Sequence, residues 1–201
     1  SGAEWRQRNM TEAPMTNLPL ALVLLALGAL TTQAAHAGKF THLSGNPDLR
    51  SASALVLDAS GEVIYGKDTD TVRPIASITK LMTAMVTLDA QLDLDQAITI
   101  TKADRDVVRQ TGSRLDYGAT LSRRDMLLLA LMSSENRAAS ALGRTYPGGL
   151  DAFVQAMNDK AQQLGMRNSR FADPAGLHGE NLSTARDLAI RCHQFSLAVM
   201  V

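Results

Sequence analysis

The sequence holds one cysteine, Cys192, which excludes an internal disulfide and a thiolate metal cluster. Its neighbour His193 stands at no metal-ligand spacing, so Cys192 reads as a structural or incidental thiol. Aromatic residues make up 4% of the chain and do not interleave with the scattered arginines Arg105, Arg109, Arg114, Arg123 and Arg124. Twenty basic side chains balance twenty acidic ones, so net charge gives no case for a nucleic-acid partner. There is no Gly-x-Ser-x-Gly, and the four histidines (His36, His42, His178, His193) fall in leader, linker, loop and tail positions. That argues against a Ser-His-Asp hydrolase, and a solvated loop histidine is the default reading of His178.

Apolar residues are plentiful at 45%, enough to build the core of one domain from 201 residues. The apolar run LPLALVLLALGAL, Leu18 to Leu30, is thirteen residues long. A membrane-spanning helix needs roughly 20, so no stable membrane span is expected. A buried core helix is one reading. The position of the run and the small–x–small triplet Ala35-His36-Ala37 favour a secretory signal peptide, with residues 1–37 as leader and a mature part from about Gly38. Arg6 and Arg8 are the upstream positive charges, and the lack of any between Met10 and Leu18 departs from the signal-peptide pattern. The sequence begins with Ser1, and Met10 or Met15 is a candidate start. Export of this kind predicts a periplasmic location.

In the remainder, Ala54–Leu57 and Val63–Tyr65 read as strands of a hairpin turning at Ala59-Ser60-Gly61. A helix is expected from about Ser77 to Leu88, then a short extended piece at AITITKAD. Ser122 and Asp125 form a capping signal before MLLLALM. Tyr146-Pro147-Gly148-Gly149 stops a second helix. Phe153, Met157 and Leu164 recur on a helical repeat that closes at Gly165. Thr184 and Asp187 are a cap pair for a last helix. Two strands followed by helices describe an α+β chain, and two strands alone make no stable sheet.

The stretch PIASITKLMTAMVTLDA places Ser77 and Lys80 three residues apart at a helix start. Positions i and i+3 share a helix face, so Lys80 can reach the Ser77 hydroxyl. A lysine whose pKa is lowered by burial can take the proton that a serine must lose to become a nucleophile. Free N–H groups at the helix start suit a developing oxyanion. The tetrad alone is equally a capping serine with a lysine reaching to solvent. Downstream, Ser134-Glu135-Asn136 lies between two apolar helices, where a serine can relay a proton and an asparagine can hold an amide. Ser44-Gly45-Asn46 has the same pattern, but it precedes the tetrad and lies in a polar lead-in.

The phrases RPIASITKLMTAMVTLDA, SRRDMLLLALMSSENRAASALGRTYPGG and LGMRNSRFADPAGLHGENLSTARDLA resemble low-molecular-mass penicillin-binding proteins, in particular the D-alanyl-D-alanine endopeptidase branch. The resemblance runs from about Ser53 to Ile190. It implies a β-lactamase/DD-peptidase-like transpeptidase fold and a serine DD-peptidase that cleaves peptidoglycan cross-bridges through an acyl-enzyme, which β-lactams trap. It implies Ser77 as nucleophile, Lys80 as base, Ser134 and Asn136 as the second motif with Asn136 binding substrate, and the Ser77 N–H as half of an oxyanion hole. It implies no metal or organic cofactor.

The family's third motif, Lys-Thr/Ser-Gly, is missing from this sequence. Thr111-Gly112 follows Gln110 rather than lysine, and it comes before Ser134, not after. The expectation is a C-terminally truncated or frameshifted member in which 38–201 is an incomplete domain lacking later sheet strands, and an inactive fragment is the alternative. A class A β-lactamase would need a deacylating glutamate after the second motif, where Glu180 is the single candidate.

Overall fold

The computed structural model describes residues 47–189 apart from residue 59. The run Leu18–Leu30, the triplet at 35–37, Ser44-Gly45-Asn46, Cys192 and His193 lie outside the described residues. The chain divides into two units, Ser1–Phe40 and Thr41–Val201, and everything described belongs to the second.

The expected hairpin forms: β1 (Ala54–Leu57) pairs antiparallel with β2 (Val63–Lys67), which runs two residues further than the sequence suggested. Asp58 builds the turn by accepting from Ser60 N (2.8 Å), Ser60 Oγ (2.6 Å) and Glu62 N (2.8 Å). Gly61 adopts φ +88°, a conformation that glycine takes without a Cβ penalty.

Two further ladders come from segments far apart in sequence. β3 (Arg73–Pro74) pairs with β6 (Leu182–Ser183), and β4 (Ala97–Thr99) pairs with β5 (Thr120–Ser122), both antiparallel. Among the described residues the strands therefore form three two-stranded sheets.

The helices are α1 (Thr79–Asp89), α2 (Arg123–Met132), α3 (Asn136–Arg144) and α4 (Gly149–Gln163), with residues 185–189 opening another. Ser122 caps α2 as its sequence signal implies, accepting from Asp125 N at 3.0 Å. Thr184 accepts from Asp187 N at 3.0 Å, but the Asp187 carboxylate bonds Asn168 N and Ser169 Oγ instead of returning to the cap. Among the described residues no helix is long and apolar enough to cross a membrane.

Helix α1 lies between two apolar clusters. Ala84 joins Ile98, Met126, Ala138, Ala141 and Leu142, while Met82 and Val86 join Phe153, Met157 and Phe171. The alanines of α3 leave room for close helix approach. Phe153 and Met157, four residues apart on one face of α4, are both fully buried. Arg123 is a buried cation at the start of α2; its guanidinium donates to Gln96 Oε1 (2.6 Å), Thr145 Oγ1 (3.2 Å) and the Asp93 carbonyl (3.3 Å), which ties β4, α2 and α3 together. Arg144 grips the buried Asp104 carboxylate through Nε (2.8 Å) and Nη2 (3.0 Å), fixing α3 to the segment after β4. α1 is thereby held in the core with its first turn at one end of α3.

Candidate active site

Ile75 is 7% exposed and anchored to the Asn181 carbonyl by its backbone N–H (3.0 Å). The next residue, Ala76, has φ +46°, a left-handed conformation that costs a residue with a Cβ about 1–2 kcal/mol. A single 3-10 turn, Ala76–Ile78, follows before α1 begins. The α-helix therefore starts at Thr79, two residues later than the periodicity implied. This sharp turn leaves Ser77 exposed while Lys80, one turn on, is 2% exposed.

Lys80 Nζ donates to Ser77 Oγ (3.0 Å), Asn136 Oδ1 (2.8 Å) and the Ala175 carbonyl (2.7 Å). An ammonium has three N–H donors, so these partners account for all of them. Burial pushes the Lys80 pKa below its ordinary 10.5, against the opposing charges of Asp173 and Glu135. Two of the partners are carbonyl oxygens, which can only accept. A neutral Lys80 keeps its two N–H bonds to them, and its lone pair is left facing Ser77 Oγ. The surroundings thus aim the basic site at the hydroxyl.

The Ala175 carbonyl is supplied by the loop 173–181. Asp173 accepts from the backbone N–H groups of Ala175 (2.7 Å), Gly176 (2.7 Å), Leu177 (3.2 Å) and His178 (2.8 Å), and from Asn181 Nδ2. Thr83 Oγ1 donates to the Pro174 carbonyl at 2.6 Å, joining the loop to α1. Gly176, at φ +78°, packs on the peptide just before Ser77: a Cβ there would stand 1.9 Å from the Ala76 carbonyl oxygen. Gly176→Ala is therefore expected to destabilise the protein by about 3 kcal/mol, combining left-handed strain with overpacking. Chemical denaturation measures this, and a loss below about 0.5 kcal/mol, the scale of an ordinary surface substitution, would show that the contact is slack.

The second motif closes the site. Ser134 Oγ donates to Ser77 Oγ at 2.8 Å, and Ser134 itself adopts φ +54° between α2 and α3. Glu135 is the N-cap of α3, accepting from Arg137 N (3.2 Å) and from Ser113 Oγ (2.6 Å). Asn136 Oδ1 faces Lys80, and its Nδ2 donates to Thr111 Oγ1 (2.9 Å). Beside the motif is a half-open cavity of about 570 Å³ lined by Ser113, Arg114, Leu115, Leu129, Glu135 and Asn136, among others.

The structure thus brings Ser77, Lys80, Ser134 and Asn136 into one hydrogen-bonded group. It does not bring in Glu180, which is exposed on the turn after His178 and bonds none of the four. The stretch ADPAGLHGENL reads as a loop from the sequence and is one in the structure. Sequence reasoning missed the organising role of Asp173 in that loop, the Ala175 carbonyl and the contact of Thr111, and a backbone carbonyl carries no side-chain signal. Among the described residues no group of three or more His, Cys, Asp or Glu side chains could hold a metal ion.

Comparison with known proteins gives one consistent answer. The family model described as D-alanyl-D-alanine carboxypeptidase, peptidase S11, matches residues 41–196. A D-alanyl-D-alanine endopeptidase of Pseudomonas aeruginosa is 51% identical over 172 residues, covering 85% of this chain and 56% of that protein. One from Escherichia coli is 52% identical over 146 residues, covering 72% and 47%. A crystallised variant of a Streptomyces DD-transpeptidase superposes with a TM-score of 0.69 at 32% identity, covering 75% of this chain and 63% of that one. The α+β architecture is that of these DD-peptidases, and the chain spans about half the length of the curated relatives it matches.

Proposed function

Because the chain belongs to the peptidase S11 family of D-alanyl-D-alanine carboxypeptidases, we infer that Ser77 is the acyl-transfer nucleophile of a serine DD-peptidase. The observation that carries the reading is the environment of Lys80: a buried amine with two carbonyl acceptors and its remaining site on Ser77 Oγ. Lys80 accepts the Ser77 proton as Oγ attacks the carbonyl carbon of a D-alanyl residue. Ser134, 2.8 Å from Ser77 Oγ, passes a proton to the departing amine. Water then hydrolyses the ester, and the proton movements run in reverse. The Ser77 backbone N–H supplies one donor to the oxyanion, and Asn136 binds the substrate's amide.

The substrate of this reading is the peptide of peptidoglycan, cut at the D-alanyl–diaminopimelate cross-bridge, with carboxypeptidase cleavage of a terminal D-alanine as the related reaction. The names of the Pseudomonas aeruginosa and Escherichia coli relatives support the endopeptidase form. β-Lactams act as covalent inhibitors by acylating Ser77. Incubating the protein with cross-linked muropeptide dimers and with a pentapeptide, followed by mass spectrometry, tests the assignment. Monomers released from dimers are expected. Intact dimers with no free D-alanine, from a protein that is folded by circular dichroism, would count against it. Rapid turnover of a chromogenic cephalosporin would point instead to a β-lactamase.

Export to the periplasm on residues 1–37 is part of the same proposal, supported by the thirteen-residue apolar run and the Ala35-His36-Ala37 triplet. N-terminal sequencing of protein recovered from that compartment should begin at about Gly38. A periplasmic protein that retains residues 1–37 would contradict the cleavage.

A further inference from the structure

Thr111-Gly112 does not qualify as a Lys-Thr/Ser-Gly motif, yet the structure puts Thr111 against the second motif. Asn136 Nδ2 donates to Thr111 Oγ1 at 2.9 Å, and Thr111 Oγ1 donates to Asp106 Oδ2 at 2.7 Å. Asp106 is 5% exposed. Its Oδ2 also accepts from Thr111 N (2.9 Å), and its Oδ1 accepts from Val108 N (2.9 Å) and Arg109 N (2.8 Å). These bonds hold the loop 106–111, in which Gln110 adopts φ +54°.

We propose that Thr111, locked by the buried carboxylate of Asp106, is a positioning residue that fixes the orientation of the Asn136 amide and, through it, the aim of Lys80. This rests on the acyl-transfer reading of Ser77 and Lys80. An ionised carboxylate can only accept hydrogen bonds, and a threonine hydroxyl has one proton to give. That proton goes to Asp106, so Thr111 Oγ1 can only accept from Asn136. The Asn136 NH₂ must therefore face Thr111, which turns its C=O to Lys80. In the flipped amide, N–H donors would meet the Lys80 ammonium and Oδ1 would meet a hydroxyl with no proton left. Four groups thus form a chain of one polarity, from Lys80 through Asn136 and Thr111 to Asp106. Asp106 stays ionised, with its pKa held at about 2: burial pushes it up, but the Thr111 hydroxyl and the three backbone N–H groups outweigh that effect.

The test compares Thr111→Val with Thr111→Ser in the full chain. Thr111 is exposed, and valine keeps its shape, so the fold survives the change. Two quantities are read: acylation by a fluorescent penicillin, separated into non-covalent affinity and acylation rate, and hydrogen exchange of the Asn136 side-chain amide by NMR. Thr111→Val is expected to acylate about tenfold more slowly at unchanged affinity, as for one lost hydrogen bond, with a faster-exchanging Asn136 amide. Thr111→Ser should restore both. A valine variant that matches the parent protein in rate and amide exchange would overturn the proposal, as would a serine variant as slow as the valine one. If the parent protein itself takes no penicillin, the acyl-transfer reading fails, and the amide exchange alone decides whether Thr111 orients Asn136.

Discussion

Ser77→Ala is expected to reduce covalent labelling by a fluorescent penicillin to background, a loss on the order of 10⁴-fold or more in acylation rate. The reason is positional as well as chemical. Ser77 is exposed at the end of a left-handed turn, and its Oγ is the meeting point of Lys80 Nζ and Ser134 Oγ. Ser134 lies 2.8 Å away, but in the present arrangement its hydroxyl points its bond at Ser77 and not at Lys80. It therefore has no base of its own and cannot substitute as nucleophile. The alanine variant should fold normally, since no buried group loses its only partner: Lys80 keeps Asn136 and Ala175. Persistent labelling of Ser77→Ala would mean that another nucleophile carries the chemistry.

Lys80→Met is expected to slow acylation by about 10²–10⁴-fold, the usual range for loss of a general base. Methionine fills much of the same volume but leaves the Ala175 carbonyl and Asn136 Oδ1 without the Lys80 donor, so some stability is lost as well, and the rate is compared on protein shown to be folded by circular dichroism. The pH dependence has a definite sign. Lys80 serves as a base only when neutral, so acylation rises with pH through its titration, which burial moves below 10.5. Asp173 and Glu135 oppose that shift, and the groups facing Nζ directly are Ser77, Asn136 and the Ala175 carbonyl. Stability follows the same direction. Above 10.5 the amine is neutral in the folded and the unfolded chain. As pH falls below 10.5, the unfolded chain takes up the proton first, so this group's contribution to stability falls. The residual rate of Lys80→Met should lose the rise that belongs to this titration. A profile identical to the parent protein's would remove Lys80 from the base role.

Local features of the fold were legible where one short segment decides them. The Asp58–Glu62 turn, the Ser122 cap, the Gly165 stop (φ +70°) and the buried pair Phe153 and Met157 each follow from neighbours within a few residues. Pairings between distant segments were not legible. β3 and β6 are two residues each, and β4 meets β5 across more than twenty residues, so neither leaves a period to read. α1 starts later than the periodicity implies because Ala76 turns left-handed, a conformation that alanine does not signal, at a peptide against which Gly176 packs directly.

At the candidate site, the spacing of Ser77 and Lys80 shows that they can meet, since i and i+3 share a face. What makes Lys80 distinctive is its third contact, a main-chain carbonyl ninety-five residues away, on a loop organised by Asp173. No side-chain pattern encodes a carbonyl. Thr111 shows the converse: its residue type and neighbours suggested a failed motif, while its actual place depends on where Asp106 folds the loop.

The central claim is that Ser77 becomes acylated with Lys80 as its base. The most direct measurement is peptide-mapping mass spectrometry of the protein after exposure to benzylpenicillin, with the acyl-enzyme trapped by acid. One penicilloyl group on Ser77, absent from Lys80→Met at the same exposure time, is the predicted result. Unmodified Ser77 in folded protein, or an adduct on a different residue, would contradict it.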